Sequence, residues 1–96
     1  MEYLSGQNLT DVITNDLTLV DYFADWCGPC QMLGLELEEL KNVKIIKVDT
    51  DSHQDLARDK GIMSIPFVEI YQNKQLISSF IGFKTKDEIE EILKKL

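Results

Sequence analysis

Residues 17–30 read LTLVDYFADWCGPC. Leu17 to Phe23 is too apolar for a strand with one wet face and reads as a buried central strand. The only two cysteines of the chain, Cys27 and Cys30, follow directly, with Gly28 and Pro29 between them. A disulfide staple, half of a metal site and a redox centre would all begin this way. Leu33, Leu37 and Leu40 then mark one face of a helix, with Glu36, Glu38, Glu39 and Lys41 on its polar face. The cysteines therefore stand where a buried strand hands over to a helix. That is the carboxyl end of a strand, where open α/β sheets place their sites.

Working outward, Leu9, Val12 and Ile13 have the i, i+3, i+4 spacing of a short helix that Asn15 and Asp16 end. VKIIKVD, residues 43–49, reads as a second buried strand. Ser52 is placed to cap a third helix, with Asp55 three residues on as in a capping box, and Gly61 suits its C′ position. FVEIY (67–71) and LISSFI (76–81) read as strands of an antiparallel hairpin, with Asn73 in the turn. Thr85 and Glu88 predict a capping box for a last helix with Ile89, Ile92, Leu93 and Leu96 on one face. Lys94 and Lys95 suit its negative end. With a short first strand at Tyr3-Leu4, this order predicts an α/β fold. Its central mixed sheet has four to five strands, with helices on both faces, in one domain spanning residues 1–96.

Cys27 at the helix start has free N–H groups and the helix dipole beside it, which favour a thiolate. The i, i+3 spacing puts Cys30 one turn in on the same face, within disulfide reach. Pro29 fits the first turn, where its missing N–H costs nothing, and Gly28 allows the tight entry. Cys27 is then the outer, attacking thiol and Cys30 the inner, resolving one. A structural zinc site needs four ligands, and there is no second cysteine pair. The single histidine, His53, lies at another helix start and reads as a surface residue. A structural disulfide closing so short a loop would stabilise little. Redox exchange is the reading that uses the placement.

Composition bounds the partners. The 96 residues carry a net charge of -7, from 17 acidic against 10 basic side chains, which argues against nucleic acid or anionic membrane. No apolar run is long enough to span a bilayer. MEYLSGQNLTD at the start lacks the basic and apolar regions of a signal peptide, so a cytoplasmic location is expected.

With VDYFADWCGPC at 20–30, IIKVDTD at 45–51, GIMSIP at 61–66 and Gly82 in SFIGF, the chain resembles the thioredoxin family along essentially its whole length. The resemblance implies the thioredoxin fold and a dithiol–disulfide exchange through Cys27 and Cys30. It makes Asp21 the buried group that helps move the Cys30 proton. Strand alternation supports this, since Asp21 shares a face with Leu19 and Phe23, where burial raises a carboxyl pKa. The alternative is an aspartate near a strand end satisfied by water or backbone. Lys47 matches a lysine near that aspartate; the alternative is an ordinary strand lysine. Pro66 matches a cis-proline, although sequence alone predicts trans. The Ile65 backbone would then pair with an extended client segment. Trp26, Gly28, Pro29, Ile65, Pro66 and Gly82, with Phe83, would form an apolar rim around Cys27.

The resemblance further implies no metal and no bound cofactor. Electrons are expected from NADPH through a flavin-containing thioredoxin reductase, with disulfide proteins as clients and a monomer as the acting state. Some residues depart from the family pattern. Leu35 replaces a helix-kinking proline, Phe23 a tryptophan, Phe67 a threonine and Lys74 a turn glycine, and Met63 and Ser64 are unlike the common residues. The leading expectation is a general protein-disulfide reductase. The competing ones are a specialised oxidoreductase or isomerase, and a binding subunit that uses the rim without redox turnover.

Overall fold

The computed structural model describes residues 1–96. The strand over Thr18–Phe23, here β2, is buried throughout except for half-buried Phe23, because the sheet is covered on both faces. Around it run β1 (Glu2–Tyr3), α1 (Leu9–Val12), α2 (Gly28–Glu38), β3 (Lys44–Asp49), α3 (Gln54–Asp59), β4 (Phe67–Gln72), β5 (Gln75–Ile81) and α4 (Lys86–Lys94). The five strands lie in the order β1-β3-β2-β4-β5. β2 is parallel to β3 and antiparallel to β4, so the sheet is mixed, with β2 at its centre. No helix is long and apolar enough to cross a membrane.

The period of two along β2 sorts its side chains between two cores. Val20 and Tyr22 join Leu9 of α1 and Ile46 and Val48 of β3, with Leu56 of α3 packed against them. Leu19 joins Leu33 and Leu37 of α2 and Ile89 of α4 on the other side. Asp21 shares the parity of Leu19 and so points toward α2 and α4. The register sets Asp21 opposite Lys47 on β3 and opposite Val68 on β4.

The β4–β5 turn is Asn73-Lys74, with φ of 54° and 66°. Positive φ at both central residues is the turn whose twist matches a hairpin. Lys74 occupies it without being glycine. Gly61, at φ 68°, follows the α3 C-cap as expected. At α4 the capping box forms: Glu88 N–H donates to Thr85 Oγ1, and Thr85 N–H donates to Glu88 Oε1. The bond from the Thr85 backbone N–H holds the Glu88 carboxyl below its usual pKa. Lys86 N–H, in the same first turn, donates to Glu36 of α2 at 2.7 Å, tying the two helices together.

Three expectations are corrected. The third helix is capped at His53, not Ser52, and no side-chain capping bond forms there. Asp49 is the reason: its Oδ1 accepts from Asp51 N–H and its backbone O from His53 N–H, so Ser52 lies inside a turn. His53 is half-buried rather than a free surface residue; its ring contacts the Asp49 and Ser5 carbonyls. On α4, Ile89 is buried and Ile92 and Leu93 half-buried, but Leu96 is exposed. The helix ends at Lys94, so its period no longer carries Leu96 inward. α2 runs unbroken through Gly34 and Leu35.

Candidate active site

β2 ends at Phe23, and a short turn brings Cys27 to the N-cap of α2. Cys27 N–H donates to Ala24 O at 3.1 Å, which closes that turn. Cys27 takes extended φ/ψ of -94° and 108°, and Pro29 fills the first helical turn. Cys27 and Cys30 are joined in a disulfide, with Cα atoms 5.2 Å apart. Cys30 N–H points at Cys27 Sγ across 3.3 Å. Once the bond is reduced, that N–H and the helix N-terminus face the Cys27 sulfur, where they favour its thiolate. Cys27 is 6% exposed and Cys30 1%, so Cys27 is the outer sulfur.

Across the chain, Ile65 O lies 4.0 Å from Cys27 Sγ, and the Ile65–Pro66 peptide is cis. Pro66 O accepts from Gly82 N–H at 2.8 Å. Gly82 has φ 92°, a conformation that L side chains rarely adopt, so this link between β5 and the 61–66 loop depends on glycine. Trp26 is 73% exposed beside the disulfide, and its Nε1 donates to Asp51 at 2.9 Å. Gly28 and Pro29 are exposed, Ile65 and Gly82 half-buried, and Pro66 buried. Met63 is 95% exposed and Phe83 38%, which extends the apolar surface on this side.

Facing each other across β2 and β3, Asp21 is fully buried and Lys47 nearly so. Lys47 Nζ donates to Asp21 Oδ2 at 2.7 Å and stands 4.6 Å from the centre of the Phe23 ring. Asp21 Oδ1 has no partner. Burial raises the Asp21 carboxyl above its ordinary 3.8; the Lys47 charge and hydrogen bond oppose the shift without cancelling it. The native state holds the Asp21 proton to higher pH than the unfolded chain does. Stability from this group is therefore full below pH 3.8 and is lost as pH climbs through the raised value. Urea titrations across this window should show that fall, and the Asp21→Asn variant should lack its share of the slope. Equal slopes in the two proteins would refute the assignment.

Sequence reasoning missed the Asp51 partner of Trp26. It also missed a second buried cluster behind the site. Tyr22 Oη donates to Glu69 Oε1 at 2.7 Å, and Tyr71 Oη donates to the same oxygen at 3.0 Å. Lys60 Nζ donates to Glu69 Oε2 at 3.3 Å and to Tyr71 Oη at 3.0 Å. Burial, and next the bond to Glu69, hold the Tyr22 hydroxyl protonated far above the usual range. The only signal in the sequence was a glutamate at the centre of an otherwise apolar strand. No group of three or more His, Cys, Asp or Glu side chains is arranged to hold a metal ion.

A family model described as Thioredoxin matches residues 1–95. The chain is 34% identical to the thioredoxin of Bacillus subtilis (strain 168) over 96 residues, covering 95% of this chain and 92% of that protein. It is 36% identical to the thioredoxin of Chlamydia trachomatis serovar D over 99 residues, covering 99% and 97%. A solved mutant thioredoxin from Halobacterium salinarum NRC-1 superposes with a TM-score of 0.87 at 32% identity, covering 98% of this chain and 88% of that one.

Proposed function

This chain belongs to the thioredoxin family, and on that premise we propose that it is a general reductant of protein disulfides. Its chemistry is dithiol–disulfide exchange. In the proposed cycle the Cys27 thiolate attacks a client disulfide. A Cys27–client bond forms, the client S–S bond breaks, and one client sulfur leaves as a thiolate. Cys30 passes its proton to Asp21, beside Lys47, and its thiolate attacks the Cys27 sulfur. The second client thiolate leaves, and two electrons have passed from the protein to the client. The Cys27–Cys30 disulfide is then reduced again by a flavin-containing reductase drawing on NADPH.

The observation that carries this reading is Cys27 at the N-cap of α2, the less buried sulfur, facing Ile65 O. Ile65 supplies a backbone edge on which an extended client segment pairs, as in strand addition. Trp26, Gly28, Pro29, Pro66 and Gly82 frame that segment. The 96 residues act as one domain and as a monomer in the cytoplasm, where reduced thiols persist. The test is turnover. NADPH, a flavin thioredoxin reductase and this protein in catalytic amount should reduce insulin disulfides, with NADPH consumed in step. Absence of NADPH consumption at saturating insulin would overturn the general-reductant reading.

A further inference from the structure

Gly34 sits in the middle of α2, one turn after Cys30, and is buried. A Cβ placed on it would stand 3.3 Å from Lys47 Nζ, and no other atom lies within ordinary contact distance. Lys47 Nζ is thus held between the bare backbone of α2, the Phe23 ring and the Asp21 carboxylate. At 2.7 Å from Oδ2 it has no room to yield toward the carboxylate. A methyl group at Gly34 would require Lys47 Nζ to give way by a few tenths of an ångström, and its closest partner is the Asp21 carboxylate. Gly34, Lys47, Phe23 and Cys30 also line one cleft of about 220 Å³ behind the disulfide, with Asp25 and Glu38 at its walls.

We propose that Gly34 is a positioning residue, whose missing side chain lets Lys47 Nζ seat against the Asp21 carboxylate. This rests on the reading of Asp21 as the group that accepts the Cys30 proton. Two opposing charges meet at this point. Burial disfavours the Asp21 carboxylate, and Lys47 is the charged group set opposite it from β3. β4 offers only Val68 opposite Asp21, and α2 brings the Cys30 thiol into the same cleft as Lys47. Burial sets the larger part of the Asp21 balance, and the seat of one ammonium group opposes it.

The consequence runs against ordinary helix energetics. Glycine inside a helix is less favourable than alanine, so Gly34→Ala by itself should favour α2 and the variant should fold. The expected cost appears in titration instead. With Gly34→Ala, the Asp21 carboxyl, followed by carbon-13 NMR, should titrate at least about half a pH unit higher than in the parent protein. In a Lys47→Ala background, adding Gly34→Ala should leave the Asp21 midpoint where Lys47→Ala put it, because the displaced group is gone. A helix that merely tolerates glycine would change stability and leave the midpoint unmoved. An unmoved midpoint in Gly34→Ala, or the same shift with and without Lys47, would overturn the proposal. The titration is read on the carboxyl itself, so it does not depend on whether Asp21 accepts the proton. The pH–rate profile of client reduction by Asp21→Asn decides that separately.

Discussion

Cys27→Ser should reduce insulin turnover by at least about a thousandfold, to the rate without protein, because the hydroxyl cannot replace the thiolate as nucleophile. Cys30→Ser should also fail to turn over, but in a different way. Its Cys27 still attacks and breaks the client disulfide, and the resulting bond to the client then has no resolving thiol. One covalent client–protein adduct per chain should accumulate, visible by mass spectrometry and released by added dithiol. The asymmetry follows from structure. Cys27 is the N-cap residue with Cys30 N–H aimed at its sulfur, whereas Cys30 lies inside the helix and is the more buried. If Cys27→Ser trapped the adduct and Cys30→Ser did not, the two roles would have to be exchanged. Either outcome leaves the fold intact, since serine fills almost the same volume.

Glu69→Leu should cost roughly 2–4 kcal/mol of folding stability, because the carboxylate is the acceptor for a fully buried hydroxyl and a paired ammonium. For a domain of this size that is a fall in Tm of about 10–20 °C. Tyr22 bears most of the cost. It has no exposure, and its hydroxyl has no other acceptor. Lys60 bears less, since its side chain is 30% exposed and can turn to water. The triple variant Glu69→Leu, Tyr22→Phe, Tyr71→Phe should recover most of the loss, because both sides of the buried hydroxyl–carboxylate contacts are gone and only Lys60, which can turn to water, loses its partners. Urea denaturation of the single and triple variants measures this. A single variant within about 0.5 kcal/mol of the parent would mean that the hydroxyls find other partners. The cluster also has a mechanical place. Lys60 ends α3 where the 61–66 loop begins, and Glu69 follows that loop on β4. Their pair therefore clamps both ends of the segment that carries Ile65 to the disulfide.

Much of the architecture was legible because its causes are local. A helix announces itself by apolar residues three and four apart, as at Leu33 and Leu37. A central strand announces itself by an unbroken apolar run, as at Leu17–Phe23, and the Thr85–Glu88 capping box needs only a spacing of three. Two of the errors were local, at Ser52 and Leu96, while His53 is drawn inward by the distant Ser5 carbonyl. Ser52 lost the third helix cap because Asp49 folds the chain into a turn first. Leu96 kept its helical spacing but not its helix.

The sequence by itself determined the order of strands and helices, the placement of Cys27 at a helix start and the reach of Cys30. Those depend on periods of two and 3.6 residues and on one turn of chain. Only the tertiary structure decided which distant groups meet. Lys47 is 26 residues from Asp21, Ile65 is 38 from Cys27, and Glu69 is 47 from Tyr22. The first and last meetings are set by sheet register, and the second by where α2 starts and the 61–66 loop returns to it. A shift of one residue in register would send Lys47 or Glu69 to the opposite face of the sheet.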